Sequence, residues 1–110
     1  MALHHAAPGE IIDLAHVPER VPDDQSIALF KTPEVEVIRR VLDRGQTVPQ
    51  HRVGGPIVFQ CLAGAVRLVL THAQPVLAAG QLLYIAPGEP YALEAQDDSV
   101  LLMTIVRRPE

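Results

Sequence analysis

Two side chains in this sequence are of types that can do proton chemistry. His51 precedes the apolar stretch of "HRVGGPIVFQCLAG", and Tyr91 follows the turn "APGEP". An imidazole and a phenol facing each other across a pocket entrance form a competent general base and general acid near neutral pH. Cys61 is a third candidate, because it shares strand parity with Ile57 and Phe59 and is expected to face the same lumen. A plainer alternative exists for each. His51 can cap a strand mouth by hydrogen-bonding a backbone carbonyl or a water, and Cys61 can serve as a small buried hydrophobe. His4, His5, His16 and His72 are scattered along the chain and read as solvated surface rather than as a ligand set.

Positioning such residues requires a core. The chain has 110 residues, of which 48% are hydrophobic, enough for one packed core and far from the composition of a disordered chain. Residues 17–26, "VPERVPDDQS", carry two prolines and several acids without helical or strand period. They predict an irregular N-terminal arm over residues 1–26, followed by one folded domain over residues 27–110.

Within that domain, short aliphatic or β-branched runs bounded by Pro, Gly or Asp predict strands. They are "IALFK" (Ile27–Lys31), "VEVIRRVL" (Val35–Leu42), "PIVFQCL" (Pro56–Leu62), "AVRLVL" (Ala65–Leu70) and "QLLYIA" (Gln81–Ala86). The stretch from Tyr91 to Arg108 lacks Pro and Gly and would accommodate a helix. Val100, Ile105 and Val106 favour strands there, with "QDDS" as a turn. Turn signals therefore recur every 8–12 residues or so, the spacing of an all-β sandwich or barrel. The expected path is an antiparallel meander with tight links at Gly64 and around Ala73–Pro75.

Charge and composition exclude several classes of function. The net charge is −4 and no basic stripe is present, so phosphate backbones have nothing to bind, and the four aromatic residues offer few platforms for bases. No apolar run is long enough to span a bilayer, and the N-terminus lacks the basic start and apolar run of a secretion signal. A lone cysteine suits a reducing compartment, so a cytoplasmic protein is expected. Arg39 and Arg67 lie within apolar strands, where an inward guanidinium would invite a carboxylate or phosphate; strand arginines more commonly face water.

The glycine spacing carries a family resemblance. Gly45 and Gly64 flank His51, and Gly80 leads into "GQLLYIAPGEPY" with Gly88. This cadence resembles the two motifs of the cupin superfamily over about Glu34–Arg108. The resemblance implies an all-β, antiparallel double-stranded β-helix, the jelly-roll barrel of small RmlC-like cupins, with a pocket opening between the two motif strands. It also identifies what is missing. Where the first motif carries its second histidine and its glutamate, this chain has Val53 and Ile57, and Tyr91 replaces the histidine of the second motif. Of the metal ligands the family uses, His51 alone remains.

A divalent metal needs about three or four imidazole, thiolate or carboxylate donors, so no metal and no cofactor are expected. The first functional reading is a metal-free small-molecule-binding or interaction module, its pocket lined by Ile57, Phe59, Cys61, Tyr91 and Leu93 with His51 as a polar handle. The alternative is a metal-free acid–base isomerase, epimerase or lyase using His51 and Tyr91. A metal-dependent oxygenase, with His51, Tyr91 and Cys61 as ligands, comes third. The resemblance further implies a homodimer, in which the N-terminal arm lies across a neighbour's sheet.

Overall fold

In the computed structural model, which describes residues 5–15 and 26–107, every regular element is a β-strand. In chain order these are β1 (Ser26–Lys31), β2 (Val35–Leu42), β3 (Thr47–His51), β4 (Ile57–Ala63), β5 (Ala65–Val69), β6 (Val76–Ala78), β7 (Leu82–Ile85), β8 (Tyr91–Ala95) and β9 (Ser99–Val106). Tyr91–Ala95 and Ser99–Val106 are strands rather than a helix, as Val100, Ile105, Val106 and the "QDDS" turn indicated. Most of the arm expected over residues 1–26 lies outside the described residues. Residues 5–15 contain turns but no strand, and the Ala6 N–H donates to the Leu29 carbonyl at 2.9 Å, which holds this segment against β1.

The strands form two antiparallel sheets. One has the order β1-β2-β9-β4-β7 and the other β3-β8-β5-β6. Chain neighbours such as β4 and β5, or β7 and β8, belong to different sheets, so the path is that of a jelly roll. The simple meander is thereby corrected: a meander pairs successive strands within one sheet, whereas here the chain crosses repeatedly so that both sheets turn an apolar face inward. The link at Ala73–Pro75 is a true hairpin between β5 and β6, closed by Leu70 N–H to Ala73 carbonyl and Leu68 N–H to Pro75 carbonyl, both at 2.9 Å. Gly64 instead turns the corner between sheets.

Strict alternation builds the core. On β4, Ile57, Phe59 and Cys61 are buried while Val58, Gln60 and Leu62 are only partly so. On β8 the inward set is Tyr91, Leu93 and Ala95. Together with Val66, Leu68, Leu101, Met103 and Ile105 they make one cluster between the sheets. Strands β3 and β6 were not apparent in the sequence, because β3 is largely exposed and contains a proline, and β6 has only three residues. In consequence, His51 closes β3 instead of opening the apolar strand that follows it.

The motif glycines owe their spacing to backbone geometry. Gly45, Gly64, Gly80 and Gly88 all adopt positive φ, between 77° and 86°. At Gly64 a second constraint applies, since a Cβ there would run into the Asp98 carbonyl and the Ser99 side chain. Around Gly45 no atom lies within 4 Å of that position. Gly45→Ala should therefore lose about 1–2 kcal/mol, the cost of a left-handed L-residue. Gly64→Ala should lose at least about 1 kcal/mol more. Urea unfolding of both variants checks this, and equal losses would remove the close approach at Gly64 from the account.

Candidate functional site

Strands β3 and β8 pair so that His51 sits directly opposite Tyr91. Their rings lie 6.0 Å apart between centroids and edge-on, at 89°, a favourable geometry for aromatic rings. Behind Tyr91, the Phe59 ring packs edge-on at 5.2 Å. A row of three rings thus runs from the core to the rim. Tyr91 is only 5% exposed, whereas His51 is open to solvent. The His51 side chain packs edge-on against the Tyr91 ring, and among the described residues it makes no hydrogen bond to a backbone carbonyl.

Both rings line a cavity of about 230 Å³ between the sheets. Its apolar wall comprises Ile38, Val53, Met103 and Ile105, and its charged groups are Glu36, Arg40 and Arg107. Arg107 and Glu36 form an ion pair at the rim. Arg40 projects from the face of β2 that also carries Glu36 and Ile38, and its positive charge acts on Tyr91. Burial pushes the Tyr91 phenol above its ordinary value, with Arg40 opposing part of that rise. The hydroxyl therefore stays protonated at neutral pH, as a hydrogen-bond donor.

Loops clamp the entrance to β8. The Gly88 N–H donates to the Val53 carbonyl at 2.9 Å, tying the two motif segments together. The Glu89 carboxylate accepts from the Thr71 hydroxyl at 2.6 Å and from the Thr71 N–H at 3.2 Å. These bonds hold its carboxyl below the usual range. Glu89 thus anchors the turn from which Tyr91 enters the barrel.

The other expected pocket residues sit elsewhere. Ile57, Phe59, Cys61 and Leu93 are all 0% exposed and belong to the buried core cluster, and none of them lines the cavity. The Cys61 thiol points to the Ala63 and Gly64 carbonyls, at 3.2 and 3.7 Å, and burial pushes its pKa up. It is therefore not brought to His51 and Tyr91. Arg67 faces outward beside Glu94, at 3.6 Å with both side chains well exposed. Arg39 is buried, on the β2 face opposite the cavity.

Arg40 was not apparent in the sequence as a cavity residue, nor were Glu36, Ile38, Met103, Ile105 and Arg107. The alternation of "VEVIRRVL" puts Glu36, Ile38 and Arg40 on one face and Val37, Arg39 and Val41 on the other. Since each face mixes apolar and charged residues, parity gave no way to choose between them.

The donor set does not fit the metal that the fold implies. Val53 lines the cavity and Ile57 is buried in the core, and neither side chain has a donor atom to offer a metal. Among the described residues, no group of three or more His, Cys, Asp or Glu is arranged to hold a metal ion. One exposed imidazole and a protonated phenol fall short of the about three or four donors a divalent ion takes.

No protein-family model and no curated protein matches the sequence. Solved structures do match its shape. A cupin superfamily protein from Desulfitobacterium hafniense superposes with a TM-score of 0.81 at 16% identity, over 98% of this chain and 100% of its own. An RmlC-like cupin from Shewanella frigidimarina gives 0.70 at 18% identity, over 77% of each chain. KdgF from a Halomonas species gives 0.69 at 21% identity, over 88% of this chain and 92% of its own.

The site geometry has a consequence at high pH. With the folded phenol raised above its unfolded value, the folded state holds the Tyr91 proton more tightly. The resulting stability is fully present below pH 10 or so and is lost as pH rises through the folded value. In an ultraviolet tyrosinate titration, Tyr91→Phe should remove a component titrating above the ordinary phenol range. Arg40→Gln should shift that component higher still. A downward shift in the Arg40 variant would show that Arg40 does not face Tyr91.

Proposed function

We propose that this chain, which has the cupin fold, is a small-molecule-binding module that works without a metal, taking its ligand into the cavity between His51, Tyr91 and Arg40. The observation that carries the reading is the convergence of an imidazole, a phenol and a guanidinium on one cavity with an apolar wall. Apolar surface beside oriented polar groups is the makeup of an organic-ligand site, and here four apolar side chains share the lining with polar and charged ones. At about 230 Å³ the space is smaller than the roughly 300–1,000 Å³ of drug-sized sites, so it suits a small metabolite.

A thermal-shift screen over a metabolite panel, run with and without added divalent metal, tests this. A ligand at about 100 times its Kd stabilises by about 2.7 kcal/mol, which raises Tm by several degrees. The expected result is such a rise without metal, abolished by filling the cavity with Val53→Phe. Stoichiometric metal in the purified protein, lost in His51→Ala, would contradict the reading.

One observation favours a second reading. The phenol kept protonated by burial and the imidazole at the rim both reach the same cavity, as an acid–base isomerase, epimerase or lyase acting on a small carbonyl compound requires. In such an enzyme Tyr91 would donate the proton and His51 would accept one. His51→Gln and Tyr91→Phe should then each lower turnover about 10²-fold or more while leaving the fold intact. Unchanged turnover in both variants would leave the binding module standing alone.

A further inference from the structure

The charged groups of the cavity narrow the class of ligand. Of its two guanidiniums, Arg107 is neutralised by Glu36. Among the described residues Arg40 has no ion-pair partner, in a chain whose net charge is −4. It is half-buried in a cavity that Ile38, Met103 and Ile105 also line, where its hydration is reduced. A guanidinium is a planar fork that cannot shed its proton, so an incoming anion is what relieves its desolvation.

We propose that the ligand is a small monocarboxylate, its carboxylate bridged by Arg40 and the Tyr91 hydroxyl and its hydrocarbon body packed on Ile38, Val53, Met103 and Ile105. This rests on the binding reading above and adds the ligand's chemistry to it. A carboxylate matches the guanidinium fork through two parallel hydrogen bonds. A phosphate dianion fits less well, since the Arg40 guanidinium alone balances only part of its charge while Arg107 is already paired with Glu36. The apolar wall requires a hydrocarbon portion that free inorganic anions lack. Tyr91 is suited to the role because its protonated hydroxyl donates, where a tyrosinate would repel the anion.

Matched probes test the inference on the intact protein: benzoate and 4-methylpentanoate, their neutral amides, and inorganic phosphate. Calorimetry reads affinity, and the methyl resonances of Ile38, Met103 and Ile105 report whether the probe occupies the cavity. The acids should bind at least about 10-fold more tightly than the amides, as expected for charge-assisted hydrogen bonds, and should shift those methyls. Arg40→Gln should reduce the acids to the level of the amides, while Arg67→Gln on the outer face should change nothing.

Amides that bind as tightly as the acids and shift the same methyls would overturn the carboxylate inference and leave the binding module intact. Phosphate binding more tightly than benzoate would overturn it as well. If neither acids nor amides move the cavity methyls, both the inference and the binding reading fall. Should Arg40→Gln not fold, the acid–amide comparison in the unaltered protein decides the matter.

Discussion

Because β8 alternates strictly, Tyr91 must enter the barrel on the same face as Leu93 and Ala95, and its ring is caught edge-on between Phe59 below and His51 above. Much of the site depends on that placement. Phe59 is fully buried, so the ring that positions Tyr91 is itself fixed by the packing of the two sheets. The Glu89–Thr71 bonds and the contact from Gly88 to Val53 set the backbone from which Tyr91 departs. A side chain held from both directions gives the cavity one wall of fixed shape. His51, exposed at the end of its strand, is the more adaptable partner.

The same placement sets the electrostatics. Burial favours the neutral phenol, and the Arg40 charge works against it without reversing it. The cavity thus offers a neutral phenol, a guanidinium and an imidazole beside an apolar wall. Val53 supplies hydrocarbon surface to this space beside Ile38, Met103 and Ile105. With one imidazole and a neutral phenol it offers fewer donors than the about three or four a divalent ion takes.

Most of the fold was legible in the sequence, because β-branched runs between turn residues and glycines at fixed spacing are local signals. The positive φ of Gly45, Gly64, Gly80 and Gly88 explains why that spacing identified the barrel. The meander was a misreading, since turn residues mark where the chain bends but not which sheet receives the next strand. The pairing of His51 with Tyr91 in one site came from aligning the two motifs. The depth of Ile57, Phe59, Cys61 and Leu93 could not be read in the same way, because alternation tells inward from outward but not core from cavity wall. Arg40 escaped for a related reason: β2 is covered on both faces, with Val37 and Arg39 buried opposite the cavity, so its two arginines look equivalent in sequence.

The central claim is that Tyr91 and Arg40 converge on one open cavity between the two sheets. A high-resolution crystal structure of the protein grown in benzoate tests it most directly. The account predicts density for the aromatic acid between the sheets, its carboxylate within hydrogen-bond distance of the Arg40 guanidinium and the Tyr91 hydroxyl, with the core around Phe59 and Leu93 undisturbed. An Arg40 side chain turned out to solvent, with Met103 and Tyr91 closed over the space between the sheets, would contradict it.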